Sequence, residues 1–290
     1  MDYNVIIRNE VFKAMTLKKQ KKIAIVNDMT GFGRCSIAAQ LPIISAMKIQ
    51  CCPLPTAVLS AHTGFPSFFF DDYTSKMKDY MNNWKELNIS FDGIATGFLG
   101  SKEQIDVVVE FMEKFKDNNT IVVVDPVMGD YGKLYATYTK EMCNEMKKLL
   151  KYADIITPNL TEACRLLDIE YPKRQLSEKE LEKIAKALCK KGPDKVVITG
   201  LQYDGEIQNF VYEKDSGYNV VNVKKIGEDR SGTGDVFTAI IISSVVKGTS
   251  LVDAVKKATE FISKTIKYTA ELNTPVTDGL CFEEYLTELK

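Results

Sequence analysis

Short apolar segments alternate with longer amphipathic ones along most of the chain. The short segments are rich in valine and isoleucine and predict buried or extended strands. They cover residues 22–28, 51–60, 91–97, 120–126, 153–159 and 194–200. The longer segments repeat apolar residues at helical spacing and predict helices. They cover residues 36–49, 102–117, 140–152, 161–167, 177–192, 235–247 and 251–268.

This alternation of strands and helices determines the predicted fold class. Strand–helix–strand units form right-handed crossovers, so we expect an α/β fold with a mainly parallel central sheet and helices on both faces. The turn sequence "KDSG" separates two further strand-like segments, 207–213 and 218–224, and predicts a hairpin. No repeat or linker interrupts the pattern, so we predict one domain over 22–290. Residues 1–21 are interpreted as an extension that could add one strand or helix.

Composition excludes several classes of function. Apolar residues make up 45% of the chain and charged residues 27%, as in ordinary globular proteins. The net charge of −1 provides no basic surface for nucleic acid. No apolar run approaches the ~18 residues that a membrane span requires, and the N-terminus lacks the features of a signal peptide. Seven cysteines without a C-x-x-C pair, and a single histidine, argue for a reducing cytoplasmic compartment and against a zinc site.

Ligands of parallel sheets bind beyond the carboxyl ends of the strands. In this sequence that rule selects the loops after Asn27, Gly97, Asp125, Thr157 and Thr199. Two of the glycine-rich segments of the chain are candidates for holding a phosphate group there.

The first glycine-rich segment is "NDMTGFGRCS", directly after the first predicted strand. Gly31 and Gly33 resemble the start of a dinucleotide-binding fingerprint. Ser36 occupies the third glycine position, and no acid ends the next strand about 20 residues later, where such sites need one. We therefore favour a tight strand-to-helix turn over nicotinamide or flavin binding.

The second segment, "SGTGD" at 231–235, precedes a dozen mostly apolar residues. Small residues leave backbone N–H groups accessible, and the start of a helix supplies unpaired donors and a partial positive charge. The pattern therefore predicts an anion-binding site with Asp235 at its edge. On spacing alone, Asp235 could equally well cap the helix. No P-loop or protein-kinase motif occurs elsewhere.

Several motifs, in this order along the chain, resemble those of the ribokinase-like small-molecule kinases, and more narrowly the vitamin B6 branch, the pyridoxal kinases. The resemblance extends from about residue 22 to 270. Its motifs are "AHTGF" (61–65), "TGFLGS" (96–101), "DPVMGD" (125–130), "ITPNLTEA" (156–163), "GPDKVVITG" (192–200) and "GTGD" (232–235). The family transfers a phosphoryl group from ATP to a hydroxymethyl group, so the resemblance implies ATP, Mg²⁺ and, in some members, a monovalent cation. It also implies a homodimer.

The resemblance assigns catalytic roles to the second glycine-rich segment. Asp235 would be the base that accepts the hydroxyl proton, and the N–H groups of Gly232, Thr233 and Gly234 would stabilise the transferred phosphoryl group. We expect a carboxylate at a helix N-terminus to stay ionised and to be a weak base.

The resemblance places the nucleotide and its metal along the neighbouring strand ends. Asp125 would lie beside the phosphates and the metal, and Asn159 with Glu162 around Mg²⁺. The spacing of that second pair also predicts a capping box. The remaining nucleotide-facing residues are Thr157, Thr199 and Gly200, and the segment 129–139 resembles the flap over the site.

On the substrate side, the resemblance implies Asn27, Asp28, Thr63 and Phe98. His62 could bond a ring substituent or serve a structural role. Animal pyridoxal kinases have Ser-His where this chain has Asn27-Asp28, and the segment is more similar to the hydroxymethylpyrimidine kinases of thiamine synthesis. The alternatives to a B6 kinase are therefore a hydroxymethylpyrimidine kinase, or a silent vitamin or nucleotide binder of the same fold.

Overall fold

Nine strands form one mixed sheet in the computed structural model, which describes residues 20–135 and 137–290. The strands are β1 Lys22–Thr30, β2 Gln50–Leu59, β3 Phe70–Asp72, β4 Gly93–Thr96, β5 Ile121–Val124, β8 Ile155–Ile156, β9 Lys195–Tyr203, β10 Glu206–Glu213 and β11 Gly217–Lys224. Their order is β11-β10-β9-β8-β5-β4-β1-β2-β3. The six strands from β9 to β2 in this order run parallel, and β3, β10 and β11 pair antiparallel. A separate ribbon joins β6 Gly129–Asp130 to β7 Lys133–Leu134.

Helices cover both faces of the sheet. They are α1 Ser36–Ala46, α2 Thr74–Glu86, α3 Lys102–Phe115, α4 Lys140–Met146, α5 Leu160–Leu167, α6 Glu178–Cys189, α7 Thr233–Val246 and α8 Leu251–Glu271. Side chains of α2 to α6 pack on one face, and those of α1, α7 and α8 on the other. Alternate strand residues separate the two cores, since Ala24 and Val26 enter the first and Ile23 and Ile25 the second. The predicted α/β class is confirmed.

Helix α7 explains why the sheet can hold a rigid site. Ten of its residues are buried, and it packs on β4 and β5 with α1 on one side and α8 on the other. Its N-terminus therefore has a fixed position at the carboxyl edge of the sheet.

Some elements differ from the sequence prediction. Strand β3 and helix α2 had not been predicted, since their segments are short or mostly polar. The predicted helix 140–152 is α-helical only through α4 and continues as a 3₁₀ turn, Lys147–Lys151. Of the extension over residues 1–21, positions 1–19 lie outside the described residues. Among the described helices, none is long and apolar enough to cross a membrane.

Candidate active site

The two glycines at the start of α7 have different surroundings. Gly232 is the N-cap with a φ of 81°, and a Cβ atom there would overlap the carbonyl oxygen of Arg34. Gly234 lies in the first turn, where a Cβ atom would meet only Oδ2 of Asp125, at 3.7 Å. The bare face at Gly234 therefore borders open space, whereas Gly232 is required by close packing of two backbone segments.

The first turn of α7 has the properties of an anion-binding site. No side chain caps its N-terminus, and the N–H groups of Thr233, Gly234 and Asp235 are too early in the helix to find an intrahelical carbonyl. The hydroxyl of Thr233 donates to the carbonyl oxygen of Arg230 at 3.2 Å, which fixes the loop before the helix. These donors and the helix dipole favour a negatively charged ligand.

Both carboxylate oxygens of Asp235 accept hydrogen bonds from other elements. Oδ1 accepts from Nδ2 of Asn27 at 2.9 Å, and Oδ2 accepts from the backbone N–H of Ser36 at 2.7 Å. Asp235 therefore does not cap its own helix, and that interpretation of the spacing is wrong. Burial raises the pKa of Asp235 to about 6; the Ser36 N–H and the Asn27 amide oppose this rise, and the charge of Asp28 adds to it. Asp235 therefore stays mostly ionised at neutral pH, as expected, but its pKa is higher than that of an ordinary aspartate.

Asp125 follows the last residue of β5 and lies beside the first turn of α7. Its Oδ2 accepts a hydrogen bond from Oγ1 of Thr238 at 3.2 Å. Burial, and then the charge of Asp235, raise the pKa of Asp125 to about 7. The two carboxyl groups thus interact across the bare face of Gly234, where a cation or a phosphate with its cation would relieve their repulsion.

Asn159 and Glu162 form the predicted capping box. Oδ1 of Asn159 accepts from the N–H of Glu162 at 3.0 Å, and Oε2 of Glu162 accepts from the N–H of Asn159 at 2.9 Å. The pair also bonds the loop after β5, through the N–H of Met128 and the carbonyl oxygen of Gly129. Burial and the charge of Asp125 raise the pKa of Glu162 well above its usual value. Glu162 therefore faces Asp125 while it caps α5.

Of the remaining nucleotide-facing candidates, Thr157 directly follows β8, whereas Thr199 and Gly200 lie within β9, which continues to Tyr203 beyond the strand end predicted at residue 200. Thr157 is 4% exposed, and its Oγ1 has no hydrogen-bond partner among the described residues. Thr199 donates its N–H to the carbonyl oxygen of Pro158 at 2.9 Å. Gly200 has a φ of 68°, donates to Oδ1 of Asn209 at 3.1 Å, and has open space where a side chain would be.

The ribbon β6–β7 extends over the nucleotide-facing strand ends. Tyr131 and Gly132 form its turn with φ of 49° and 78°. The hydroxyl of Tyr131 donates to Asp229, in the loop before α7, and accepts from Nε2 of Gln202 at 2.8 Å, at the end of β9. Tyr135, which follows the ribbon, is exposed. The contacts of Tyr131 join the ribbon to the loop before α7 and to β9, and its role as a flap remains a prediction.

On the other side of Asp235, the predicted substrate residues divide into buried and accessible groups. Asn27 and Asp28 are 1% and 5% exposed. Asp28 accepts from Oγ1 of Thr30 at 2.6 Å and from Oγ of Ser36 at 2.7 Å, and burial raises its pKa against these bonds. Phe98 is half-buried and packs edge-on against Tyr138, with centroids 6.1 Å apart.

His62 is held by backbone groups at both ring nitrogens. Nδ1 accepts from the N–H of Gly64 at 3.1 Å, so Nε2 carries the proton and donates to the carbonyl oxygen of Thr277 at 2.8 Å. The ring also packs against Gly33, where a Cβ atom would overlap it. Thr63, next in the chain, is exposed.

Sequence reasoning missed several residues that shape the site. Ser36 bonds Asp235, and Gln40 bonds Asn27, although neither residue belongs to a predicted motif of the site. Arg230 bonds the carbonyl oxygens of Thr274 and Pro275 at 3.1 and 2.9 Å, and so joins the loop before α7 to the segment after α8. Beside it lies a cavity of about 450 Å³, lined by Gly227, Glu228, Arg230, Ala270, Asn273, Thr274, Pro275 and Val276. Only the resemblance to known kinases could have suggested such a cavity.

Known proteins of the same architecture are similar along most of the chain. A provisionally named phosphomethylpyrimidine kinase from Bacteroides thetaiotaomicron, crystallised with pyridoxal, matches with a TM-score of 0.90 at 40% identity, over 93% of this chain and 96% of that one. A pyridoxal kinase from Arabidopsis thaliana is 30% identical over 66% of this chain and 63% of that protein. A hydroxymethylpyrimidine/phosphomethylpyrimidine kinase from Haemophilus influenzae is 32% identical over 59% of this chain and 64% of that protein.

The first curated relatives are longer than the matched region, since the chain spans 48% to 64% of their length. The model of the phosphomethylpyrimidine kinase family matches residues 34–278, which include every predicted site residue except Asn27 and Asp28. The resemblance noted in the sequence is thus confirmed at the level of the family. The chain belongs to the phosphomethylpyrimidine kinase family.

Proposed function

We propose that the protein transfers the γ-phosphoryl group of ATP to the 5′-hydroxymethyl group of pyridoxal, pyridoxamine or pyridoxine. One observation supports this most directly: the buried carboxylate of Asp235 lies at the uncapped N-terminus of α7. A proton acceptor and an anion-binding group thus meet at one point. Phosphoryl transfer to a hydroxyl group requires that combination.

Asp235 is the proposed proton acceptor. With a pKa of about 6 it is mostly ionised at neutral pH, yet it is a stronger base than an ordinary aspartate. The substrate hydroxyl donates its proton to this carboxylate as its oxygen attacks phosphorus. The N–H groups of Thr233 and Gly234 hold the equatorial oxygens of the phosphoryl group during transfer.

The nucleotide is proposed to extend from α7 across the ends of β8 and β9. Its base would occupy the cavity beside Arg230, because that cavity adjoins the loop that leads into the anion-binding turn. The bare backbone at Gly200 and the hydroxyl groups of Thr157 and Thr199 would lie along the phosphates. The ribbon around Tyr131 would exclude water, which competes with the substrate as phosphoryl acceptor.

The residues present also fit Mg²⁺. No group of three metal-binding side chains occurs within 20–135 and 137–290, but Mg²⁺ usually takes only one or two carboxylates, with water and phosphate oxygens. Asp125 would bind it directly, and Glu162, whose oxygens already accept backbone N–H groups, through water. The unpartnered Oγ1 of Thr157 could contribute to a monovalent-cation site. Bound Mg²⁺ would neutralise charge on the phosphates.

The B6 vitamers are favoured as substrates because the Bacteroides relative, at 40% identity, was crystallised with pyridoxal. An aromatic ring would lie against Phe98, with Asp28 and Thr63 around its substituents, whereas His62, bonded to backbone groups at both ring nitrogens, would serve a structural role. Hydroxymethylpyrimidine is the second candidate substrate, supported by the family model and the Haemophilus relative. A homodimer is proposed from the resemblance alone, and a cytoplasmic location from the unpaired cysteines of the sequence.

ATP consumption with each candidate substrate, offered separately, tests the proposal. We expect turnover with at least one B6 vitamer, at higher kcat/KM than with hydroxymethylpyrimidine. Faster turnover of the pyrimidine would favour the thiamine-pathway activity. Tight binding of a vitamer without any turnover would instead support a silent binder.

A further inference from the structure

The amide group of Asn27 makes all the hydrogen bonds that an asparagine side chain can make, and all of them lie within the protein. Oδ1 accepts from the N–H groups of Asp28 and Phe98 at 2.9 and 2.8 Å. Nδ2 donates to Oδ1 of Asp235 at 2.9 Å and to Oε1 of Gln40 at 3.1 Å. Two donors and two acceptor positions are the full capacity of this side chain. Asn27 therefore has no group left to bind a substrate.

The orientation of this amide is fixed by the backbone. Only an oxygen can accept from the two N–H groups of Asp28 and Phe98, so the nitrogen must face Asp235. Gly97 allows the arrangement, since a Cβ atom there would overlap the amide of Asn27. A β-bulge between β1 and β2 lies at the same point of the chain. The donor to Asp235 thus has a single possible direction.

Gln40 extends the network into α1. It is 1% exposed, and its Oε1 accepts the second N–H of Asn27. Ser36, one turn earlier in α1, donates its N–H to the other oxygen of Asp235 from a left-handed conformation with a φ of 55°. Strand β1 and helix α1 therefore hold both oxygens of one carboxylate, and such strain in the backbone is typical of functional sites.

We propose that Asn27 and Gln40 are positioning residues for Asp235 and do not contact the substrate. The hydrogen bond from Asn27 fixes the plane of the Asp235 carboxylate, so that the remaining lone pairs of Asp235 face the hydroxyl to be phosphorylated. The hydrogen bond to Gln40 holds the Asn27 amide in this orientation. This inference rests on the proposed function, in which Asp235 is the base. Misplacing such a group affects the chemical step more than substrate binding.

The most direct test exchanges the amide at position 27 and the carboxylate at position 235. Asn27→Asp keeps the acceptor oxygen but puts a second carboxylate 2.9 Å from Asp235, in place of a donor. We expect kcat to fall about tenfold or more with KM for the vitamer within about twofold, and the thermal midpoint to fall by several degrees. The double variant Asn27→Asp/Asp235→Asn restores a carboxylate–amide pair. Its thermal midpoint should recover, while its turnover should stay lost.

Asn222→Asp is a matched control. Nδ2 of the exposed Asn222, on the edge strand β11, donates to Oε2 of Glu206 at 2.6 Å, so the same substitution again replaces an amide–carboxylate pair by two carboxylates, here in water and without contact to Asp235. Its kcat should stay unchanged. Gln40→Met tests the outer residue with a side chain of similar shape, and we expect a several-fold loss of kcat at constant KM. It also replaces Asn27→Asp if that variant does not fold.

A tenfold rise in KM for the vitamer at unchanged kcat, in Asn27→Asp or Gln40→Met, would overturn the inference in favour of substrate contact. Wild-type values of both constants, or no recovery of stability in the exchanged pair, would also overturn it. Failure of the proposed function gives a different result: wild-type protein without turnover, or Asp235→Asn with full turnover. Even if the protein has no kinase activity, the thermal midpoint of the double variant Asn27→Asp/Asp235→Asn still measures the contact between residues 27 and 235.

Discussion

The backbone of Gly232 lies against the carbonyl group of Arg34, so closely that a Cβ atom would overlap its oxygen. Gly234, two residues later, faces open space beside Asp125. In the sequence, the two glycines belong to one predicted anion-binding motif. Their surroundings assign the first to packing between two loops and the second to the accessible face of the helix.

Substitution by alanine should separate these two roles. Gly232→Ala requires a φ of 81° from a residue with a Cβ atom and displaces the backbone of Arg34. We expect the free energy of unfolding to fall by more than about 2 kcal/mol. Gly234→Ala should fold normally, because alanine favours helices by up to about 1 kcal/mol over glycine. Its methyl group would crowd the bound phosphate and lower kcat/KM for ATP by about tenfold or more.

Denaturant unfolding and steady-state kinetics of both variants check this pair of expectations. A stable Gly232→Ala variant with weakened ATP use would mean that Gly232, too, faces the anion. Normal kinetics in Gly234→Ala would remove the first turn of α7 from phosphate binding.

The pKa of Asp235 predicts the acid side of the pH profile. Because the base must be ionised in the free enzyme, kcat/KM should fall about tenfold per pH unit below about pH 6. Asp235→Asn should cut kcat by ~10²-fold or more and abolish this acid limb. Rates at saturating ATP over pH 5–8 measure both effects. A limb that persists in Asp235→Asn would belong to another group.

The same shift predicts the sign of a stability effect. Burial raises the pKa of Asp235 above 3.8, so the folded protein binds this proton more tightly than the unfolded chain does. The stabilisation is therefore fully present below pH 3.8 and is lost as pH rises through about 6. Over that range the thermal midpoint of Asp235→Asn should rise relative to that of the wild type as the pH increases, because only the wild type loses this stabilisation. A difference that stays constant or falls would contradict the raised pKa.

The sequence was sufficient for features that depend on local pattern. Alternating apolar segments predicted the α/β sheet, and the spacing of Asn159 and Glu162 predicted a capping box that the structure contains. The position of Asp235 at the start of α7 follows from small residues before an apolar run. Each of these sequence patterns lies within a few residues of the structural feature that it predicts.

Other features depend on distant parts of the chain and could not be predicted in this way. The bond from Ser36 to Asp235 joins residues 199 apart, through a backbone conformation that serine rarely adopts. The raised pKa of Asp235 results from burial, and no local sequence pattern indicates that this side chain is buried. Asn27 stands where a substrate-binding residue was expected, and the positioning role that we propose for it instead rests on four partners that no local pattern indicates.

The contact between Tyr131 and Asp229 predicts a latch for the flap. Tyr131→Phe removes the hydroxyl group that bonds Asp229 and Gln202, so the ribbon should open more often. We expect ATP hydrolysis without vitamer to rise several-fold relative to productive transfer, because water then reaches the phosphate. Tyr218→Phe is a matched control, since that hydroxyl donates to Glu178 at 2.9 Å on the distant edge of the sheet. Equal hydrolysis in both variants would argue against a latch.

The unpartnered hydroxyl of Thr157 predicts a variant in which stability and function change in opposite directions. Thr157→Val keeps the shape of the side chain and removes a buried oxygen without a partner, so the free protein should be as stable as the wild type or up to about 2 kcal/mol more stable. If Oγ1 binds the nucleotide or its cation, KM for MgATP should rise about fivefold or more.

Ser243→Ala is the control, since it removes a similar unpartnered hydroxyl from the interior of α7, away from the strand ends, and should change stability alone. Thermal unfolding with and without MgATP measures both parts. A less stable Thr157→Val variant with normal ATP use would show that the hydroxyl is structural.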